Sequence, residues 1–407
     1  MSRLLNHYNA RQLAELYRSQ LQEIMQEWGD HTMDKENGGY LTNFDEYWNI
    51  TGSVKNIWAQ ARQTYMFSAM YSLIQKEERW LELAKAGRDF LVAHAYAGNG
   101  RWNYELNSDG TEVLKGITTV FTDFFVLSAL SQYAVASGSR EDLPLIEETF
   151  LAVQRNILDP SFKDINPHQW YEGIVRHPIY MIAVNSLGVA GQVLGRPQVK
   201  PFIKLCTDKL LNFFGKNSSG YLLESLKEDG SVWDTEEGRL VIPGHIFEGM
   251  WFCIDEARKD GDQSVLPRSL KIIDAACEKA IDITNGGILH RFDCFNKPSM
   301  EVLHTDTGLL RPDNKVDWVH CETLYTFALT AVLTEDDGRF RKFWELHEYC
   351  QQYFHPKTGG DWYPLLAADG EVLRKNKGGK HRVAFHVPRA LMNLALLFQK
   401  YSEGNKG

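Results

Sequence analysis

The feature that most constrains the fold is an alternation of helical segments with two kinds of loop. Apolar residues recur at positions i, i+3, i+4 and i+7 in twelve segments, which is the pattern of amphipathic helices. The twelve predicted helices cover approximately residues 8–29, 53–75, 77–95, 118–137, 141–156, 177–194, 198–214, 244–259, 265–282, 315–334, 338–354 and 384–402. Long strand patterns are absent, so the sequence predicts an all-α protein.

The loops that precede the even-numbered helices share a signature. Each has a glycine, then an aromatic or apolar residue, and often an Asp-Gly pair further on. The copies are NGGYL (37–41), NGRWNYELNSDG (99–110), SGYLLESLKEDG (219–230), NGGILHRFD (285–293), GGDWYPLLAADG (359–370) and a weaker sixth, NPHQWYEG (166–173). An aromatic strand that closes on Asp-Gly predicts a short β-hairpin. Loops before odd-numbered helices are short and lack the signature.

The repeating unit is therefore a hairpin, a helix, a tight turn and a second helix. Six such units in 407 residues give a period of about 68 residues, which is typical of a closed or stacked array. Six helical pairs can close into an (α/α)6 barrel, and an open solenoid of helix pairs is the alternative. The large loops gather at one end of the helices, which favours a barrel with a mouth. No linker divides the chain, so we expect one domain over residues 1–407.

Charge and composition argue against several classes of function. The net charge is −9 and no basic run of five residues occurs, which disfavours a nucleic-acid or anionic-membrane surface. No apolar run approaches the roughly 18 residues of a membrane span, and the N-terminal segment has no secretory pattern. The six cysteines form no CxxC pair, which fits a reducing compartment. We expect a cytoplasmic protein.

Chemically active side chains concentrate in the first turns of the even-numbered helices. They are His177, His245, Glu248, Trp318, His320, Glu322, His386 and Arg389, and Arg62 lies one to two turns into helix 2. The chain has 13 histidines, and these first turns cover roughly 7% of it, so chance would place about one histidine there. Four are present, and none lies in the first turn of a predicted odd-numbered helix.

The stretch IPGHIFEGMW (242–251) shows what one of these turns can do. Pro243-Gly244 predicts a tight entry turn that places His245 in the first turn of helix 8. Glu248 follows at i+3 on the same face, where its carboxylate could orient the imidazole, and Trp251 extends that face. Taken singly, such residues are structural more often than catalytic, and first-turn acids also suit the helix dipole. Their concentration at one end of the helices favours an active site.

Several histidines and one arginine suit proton transfer at a carbon next to a carbonyl. Two histidines on opposite faces of a substrate could remove a proton from one side and return it from the other, while an arginine stabilises the enediolate oxygen. Histidine is also a common metal ligand, but no HExxH motif or carboxylate-rich loop is present. We therefore expect no metal and no cofactor.

Four segments, PGHIFEGMWF, VDWVHCETL, FHVPRAL and KNIWAQARQTY, closely resemble the N-acylglucosamine 2-epimerase family, and the resemblance covers essentially the whole chain. It implies an (α/α)6 barrel, cofactor-independent epimerisation or isomerisation of a sugar, and often a homodimer. It implies acid/base roles for His245 and His386, and an Arg62 that holds the substrate oxygens near C1 and C2. Glu248 and Glu322 would support the histidines and bind hydroxyls, His177 and His320 would line the pocket, and Trp251 and Trp318 would pack against the sugar.

The expected function is inversion at C2 of a free aldose, either N-acyl-D-glucosamine/N-acyl-D-mannosamine or D-mannose/D-glucose. An aldose–ketose isomerase would use the same enediolate and is the nearest alternative. A glycoside hydrolase would need two opposed carboxylates, for which Glu322 and Asp361 are available. A non-catalytic binding module would need no set of first-turn histidines.

Overall fold

The computed structural model describes residues 7–159, 171–297, 303–305 and 308–404. The chain folds into two compact units, each assembled from segments that are distant in the sequence. The first unit is Met1–Glu27, Leu211–Asn376 and His386–Gly407, and the second is Trp28–Leu210 and Lys377–Phe385. The expectation of one domain over residues 1–407 stays a prediction.

The second unit contains helices that pack in sequence order. They are α2 (Ile57–Ala69), α3 (Glu78–Phe90), α4 (Val120–Ser137), α5 (Leu143–Leu158), α6 (His177–Leu194) and α7 (Arg196–Asp208), and α1 (His7–His31) ends here. Helix α4 contacts both α2 and α6, and each of these three helices also contacts the odd-numbered helix that follows it. Helices α2 and α4 are buried on almost every face, as expected of helices surrounded by others.

The first unit repeats this arrangement with α8 (Pro243–Asp260), α9 (Val265–Ala280), α10 (Asp317–Thr334), α11 (Asp337–Tyr349) and α12 (His386–Ser402). Helix α10 contacts both α8 and α12, while α9 packs on α8 and α11 on α10. Within the described part of the chain, four π-helical segments continue α2, α3, α7 and α11. They are Met70–Ile74, Leu91–Ala95, Lys209–Phe214 and Cys350–Phe354.

The strands are short. They are β1 (Asn43–Phe44), β2 (Ile50–Gly52), β3 (Lys55–Asn56), β4 (Tyr96–Gly98), β5 (Arg101–Trp102), β6 (Glu105–Leu106), β7 (Val113–Lys115), β8 (Ile174–Arg176), β9 (Ser225–Lys227), β10 (Leu240–Val241), β11 (Phe292–Asp293), β12 (Leu303–Thr305), β13 (Gly308–Leu310), β14 (Lys315–Val316), β15 (Leu365–Leu366) and β16 (Val372–Arg374). In the second unit β1 pairs β2, β4 pairs β5, and β3, β6 and β7 form one sheet. In the first unit β10 pairs β11, β12 pairs β13, and β14, β15 and β16 form one sheet.

All twelve predicted helices are present, and their ends differ by a few residues. Helix α2 begins later than predicted because Lys55 and Asn56 are extended, and the Asn56 side chain caps the helix by accepting the Ala59 N–H. The Asp-Gly hairpins are confirmed at two places: Asp109-Gly110 joins β6 to β7, and Asp369-Gly370 joins β15 to β16. Most of the weak sixth loop copy (166–173) lies outside the described residues.

The six cysteines are free and buried, as is usual for cysteines that pack as small apolar residues. Among the described residues one helix, α4, is long and apolar enough to cross a membrane, and 83% of it is buried inside the protein. A core helix passes the same test, so this is weak evidence of a membrane span, and the cytoplasmic location stays a prediction.

Candidate active site

The first unit brings five of the predicted site residues into one cluster. His245 lies in the first turn of α8, Glu248 follows one turn later, and His386 is the first residue of α12. Trp318 and Glu322 lie near the start of α10.

His245 is held by a carboxylate that the sequence did not single out. Its Nδ1 lies 3.0 Å from both Oε1 and Oε2 of Glu224. A carboxylate can only accept, so Nδ1 carries the hydrogen and the neutral ring keeps its lone pair on Nε2. The His245 side chain is 25% exposed, whereas Glu224 is 7% exposed. The arrangement fixes the imidazole in a tautomer that can act as a base through Nε2.

The expected pairing of His245 with Glu248 was therefore wrong. Glu248 is buried and accepts a hydrogen bond from Arg389 instead. The i+3 spacing placed both side chains on one side of α8, but it could not show what packs against that side. Pro243 and Gly244 also lie inside the first turn of α8, with Ile242 as its N-cap, and do not form a separate turn before it.

His386 is held in the same way as His245. Its Nδ1 lies 2.8 Å from Oε1 of Glu322 and is the donor for the same reason. The other oxygen of Glu322 accepts the Trp251 Nε1–H at 2.8 Å. Glu322 is fully buried while the His386 side chain is 21% exposed. Each of the two histidines therefore combines a partly exposed ring with a carboxylate fixed inside the protein.

Arg389 sits between the two carboxylates of this cluster. Its Nη2 donates to Oε1 of Glu322 at 2.6 Å and to Oε1 of Glu248. Burial opposes the charge of Arg389, but Glu322 and Glu248 outweigh it, and together they raise the arginine pKa above its usual value. The guanidinium therefore stays protonated and balances charge at the base of the site.

Metal binding is an alternative function for this cluster of side chains. Donor atoms of Glu248, Glu322 and His386 lie within 4.8 Å of one another, and two carboxylates with an imidazole are a reasonable ligand set. However, Arg389 already bonds both carboxylates. The donor set therefore does not fit a divalent cation, because the cation would have to displace the guanidinium.

Trp318 connects the two histidines. Its ring centroid lies 5.0 Å from that of His245 and 5.7 Å from that of His386, with tilted planes. Trp318 can pack on α8 because residue 244 is glycine. A Cβ there would lie 2.4 Å from Cζ3 of Trp318. The Pro-Gly pair thus starts the helix and admits the indole that contacts both imidazoles.

Two other predicted residues have supporting positions instead. Trp251 is 4% exposed, and its N–H is used by Glu322, so the expectation that it packs against a sugar is not supported. His320 is fully buried. Its Nδ1 donates to the Val316 carbonyl at 2.8 Å, and its Nε2 accepts the Ile288 N–H at 2.9 Å. Burial lowers its pKa to about 3. The expected pocket-lining role of His320 was wrong, because the backbone uses both of its ring nitrogens.

A second Asn-Gly-Gly loop shows what His320 does for the structure. Gln60 accepts the Tyr40 N–H at 2.8 Å in the second unit, as His320 accepts the Ile288 N–H in the first. Tyr40 and Ile288 each follow an Asn-Gly-Gly sequence. At Gly287, φ is +69° and a Cβ would lie 2.8 Å from Nε2 of His320. The histidine and the glutamine therefore anchor equivalent tight loops.

This equivalence predicts the effect of replacing His320. We expect His320→Leu to lower the free energy of unfolding by about 1–3 kcal/mol, because it leaves the buried Ile288 N–H without an acceptor. His320→Gln should lose less than half as much and keep its activity. Urea unfolding of the two variants measures the difference. A glutamine variant with native stability and no activity would instead show that His320 acts on the substrate.

Glu224 gives a second prediction. Glu224→Gln should lower kcat about 100-fold, within the range of general acid–base contributions, because the charged acceptor that fixes the His245 tautomer is lost. Steady-state kinetics on the reacting sugar measure this. Glu228 lies in the same loop and is exposed, so Glu228→Gln is the matched control and should remain within about twofold of the wild type. Equal rates for both variants would contradict the assigned role of Glu224.

Arg62 and His177 belong to the second unit. The Arg62 guanidinium lies 4.2 Å from the ring centroid of Phe125 and 4.9 Å from that of Phe385, and its Nη1 donates to the His381 carbonyl at 3.1 Å. Arg62 is 8% exposed and His177, the first residue of α6, is fully buried. Their roles toward a substrate stay predictions.

Glu224 carried a weak signal in the sequence. It is the acidic residue of the YLLES segment, in one of the repeated loops, and leucines buried at positions 222, 223 and 226 surround it in the chain. An acidic residue among core leucines needs a buried partner. Arg389, in the FHVPR segment, was among the first-turn residues of the sequence analysis, but its ion pairs with Glu248 and Glu322 were not predicted.

The sequence profile of the N-acylglucosamine 2-epimerase (GlcNAc 2-epimerase) family matches residues 38–390. The chain belongs to this family. The human N-acylglucosamine 2-epimerase is 24% identical over 381 residues, which cover 91% of this chain and 87% of the human protein. The match confirms the predicted family and its enzyme class, the isomerases that act on carbohydrates.

Solved structures confirm the predicted fold class, an all-α (α/α)6 barrel with short strands in its loops. A crystal structure of D-mannose isomerase superposes with a TM-score of 0.82 at 17% identity, covering 93% of this chain and 97% of that one. The cellobiose 2-epimerase of Spirochaeta thermophila gives a TM-score of 0.78 at 18% identity, covering 97% and 98%. Identities this low establish the fold and leave the substrate open.

Proposed function

We propose that this protein inverts C2 of a free aldose, with His245 and His386 as the two acid/base groups. The observation that carries the proposal is their shared geometry. Each imidazole is partly exposed, each has its Nδ1 fixed by a buried carboxylate, and both contact Trp318. Membership of the N-acylglucosamine 2-epimerase family supports the same reaction class.

The sugar reacts in its open-chain form. One histidine takes the C2 proton on its Nε2. The electrons of the broken C–H bond form a C1=C2 double bond while the carbonyl π electrons move to O1, which gives a planar enolate, a cis-enediolate where C2 carries a hydroxyl group. The other histidine, already protonated, donates its Nε2 proton to the opposite face of C2, which inverts the centre. Exchange with water then restores both protonation states. Glu224 and Glu322 stabilise the imidazolium form of the histidine that each one holds.

Positive charge is needed where the enediolate develops. Arg62 is the proposed partner of the substrate oxygens at C1 and C2, as the family resemblance implies. Its guanidinium lies among the rings of Trp58, Phe125 and Phe385, an apolar setting in which a cation acts strongly on a nearby oxyanion. Arg389 is unsuited to this role, because Glu248 and Glu322 already use it.

The preferred substrates are the N-acyl-D-glucosamine/N-acyl-D-mannosamine pair, after the named activity of the human relative, and then D-mannose/D-glucose. An aldose–ketose isomerase returns the proton to C1 and is the second candidate. The structural similarity to D-mannose isomerase supports this second candidate. A glycoside hydrolase is disfavoured, because Glu322 is buried among His386, Trp251 and Arg389 and is committed to them.

Proton NMR in D2O tests the proposal. Purified protein is incubated with N-acetyl-D-mannosamine and with D-mannose in separate tubes, with EDTA and without nucleotide. The expected result is deuterium at C2 with the gluco epimer as product. The tube in which this product forms identifies the substrate. A ketose in the D-mannose tube would establish the isomerase instead. Absence of exchange in both tubes and in a third with cellobiose would overturn the proposal.

A further inference from the structure

One buried histidine beside the candidate site has no role in the mechanism above. His290 belongs to the recurring loop NGGILHRFD and is 4% exposed. The antiparallel pairing of Val241 with Phe292 places the residues just before β11 alongside the start of α8. Both His245 and Glu224 lie close enough to His290 for their charges to act on its ring.

The hydrogen bonds of His290 define its tautomer. Nη1 of Arg291 lies 3.2 Å from Nδ1 of His290, and a guanidinium can only donate, so Nδ1 accepts and the hydrogen of the neutral ring is on Nε2. Arg291 is itself held by the Leu310 carbonyl, at 2.9 Å from the same Nη1. Burial, with the Arg291 charge and the His245 charge adding to it, lowers the His290 pKa to about 3. The ring therefore stays neutral in any physiological buffer.

The Nε2–H is then a donor on a buried ring, and it needs an acceptor. Among residues 7–159, 171–297, 303–305 and 308–404, no protein group accepts a hydrogen bond from it. Nε2 is not one of the fully enclosed polar atoms that lack a partner, so it keeps some accessible surface and can donate a hydrogen bond to a ligand. A neutral imidazole is well suited to a sugar oxygen that gains charge, because it donates a hydrogen bond and does not lose its proton.

We propose that His290 donates its Nε2–H to the substrate carbonyl oxygen at C1, which gains negative charge when C2 is deprotonated. This inference rests on the proposed function and adds a neutral electrophile to it. In this role His290 does not exchange protons with carbon. It polarises the carbonyl before C2 is deprotonated and stabilises the enediolate after.

Two variants separate this role from a structural one. In His290→Asn the amide oxygen can still accept from Arg291, but no donor reaches the position of Nε2. In His290→Gln the amide group restores a donor near that position. We expect the asparagine variant to lose about 100- to 1000-fold in kcat, in the range of a lost oxyanion donor, with KM changed by less than about threefold. The glutamine variant should recover at least about tenfold of that loss.

The measurements are kcat, KM and the rate of deuterium uptake at C2, together with the melting temperature of each variant. A kcat of the asparagine variant within about twofold of wild type would overturn the inference. So would a raised KM with unchanged kcat, which would place the contact on a hydroxyl that does not react, and so would equal losses in both variants with a lowered melting temperature. If the wild-type protein reacts with no sugar, the proposed function fails as well, whereas a normal wild type with a normal asparagine variant overturns only this inference.

Discussion

Replacing His245 or His386 by asparagine is expected to lower the rate of epimerisation by about 1000-fold or more. Asparagine keeps a nitrogen near the position of Nδ1 that can still donate to Glu224 or Glu322, but it removes Nε2, the atom that exchanges the proton. General acid–base groups contribute about 100- to 10,000-fold, and a two-base inversion needs both histidines. Loss of either one should therefore stop net inversion.

Deuterium uptake distinguishes the two histidines. In D2O, each single variant should still exchange the C2 proton of the epimer that its remaining histidine deprotonates, without forming the other epimer. The two variants should show opposite preferences, one exchanging the gluco form and one the manno form. Net inversion in either variant at more than about a tenth of the wild-type rate would contradict the two-base scheme.

His355 offers a matched control for this experiment. It is a half-buried histidine of the same unit, and burial lowers its pKa. His355→Asn should keep kcat within about twofold of wild type. All three variants should melt within a few degrees of the wild type, since His245 and His386 are partly exposed and their carboxylates retain a donor.

Replacing Arg389 by methionine is expected to lower the free energy of unfolding by about 3–5 kcal/mol, the usual cost of breaking a buried ion pair from one side. The substitution leaves the Glu248 and Glu322 carboxylates buried together without their shared cation. One of them must then take up a proton or repel the other. Activity should fall as well, because a protonated Glu322 no longer fixes the Nδ1 hydrogen of His386. Guanidinium unfolding measures the stability and steady-state kinetics the activity.

The double variant Arg389→Met with Glu248→Gln tests the cause of that loss. It removes one of the two facing charges, so it should recover at least about 1 kcal/mol relative to the single variant. Lys204→Met breaks an exposed pair with Asp208 in α7 and should change stability by less than about 1 kcal/mol. A single Arg389 variant as stable as the Lys204 control would show that Arg389 does not balance these carboxylates.

The helix order was readable from the sequence because helical periodicity is a local property. Each apolar stripe records that one face of the segment is buried, whatever it is buried against. The hairpins at Asp109-Gly110 and Asp369-Gly370 were readable for the same reason, since a turn depends on its own few residues. The concentration of histidines at helix starts could be predicted from the helix order, because more of them lie there than chance would place. These histidines are His177, His245, His320 and His386.

The roles of the individual first-turn histidines could not be predicted from the sequence. His245 and His320 look alike in the sequence, each in a first turn with a nearby glutamate. In the structure, His245 is partly exposed and bonded to Glu224, whereas His320 lies under an Asn-Gly-Gly loop and uses both nitrogens to hold it. Burial under a loop is a tertiary property, and periodicity within one helix carries no information about it.

The sequence by itself determined the all-α class, the alternation of helices and hairpins, and the concentration of histidines and glutamates at the starts of the even-numbered helices. Only the tertiary structure decided which carboxylate holds which imidazole, and through which nitrogen. Glu224 is 21 residues from His245 and Glu322 is 64 residues from His386. Hydrogen bonds act over about 3 Å, so they are set by the packing of separate segments, and spacing along the chain cannot show them.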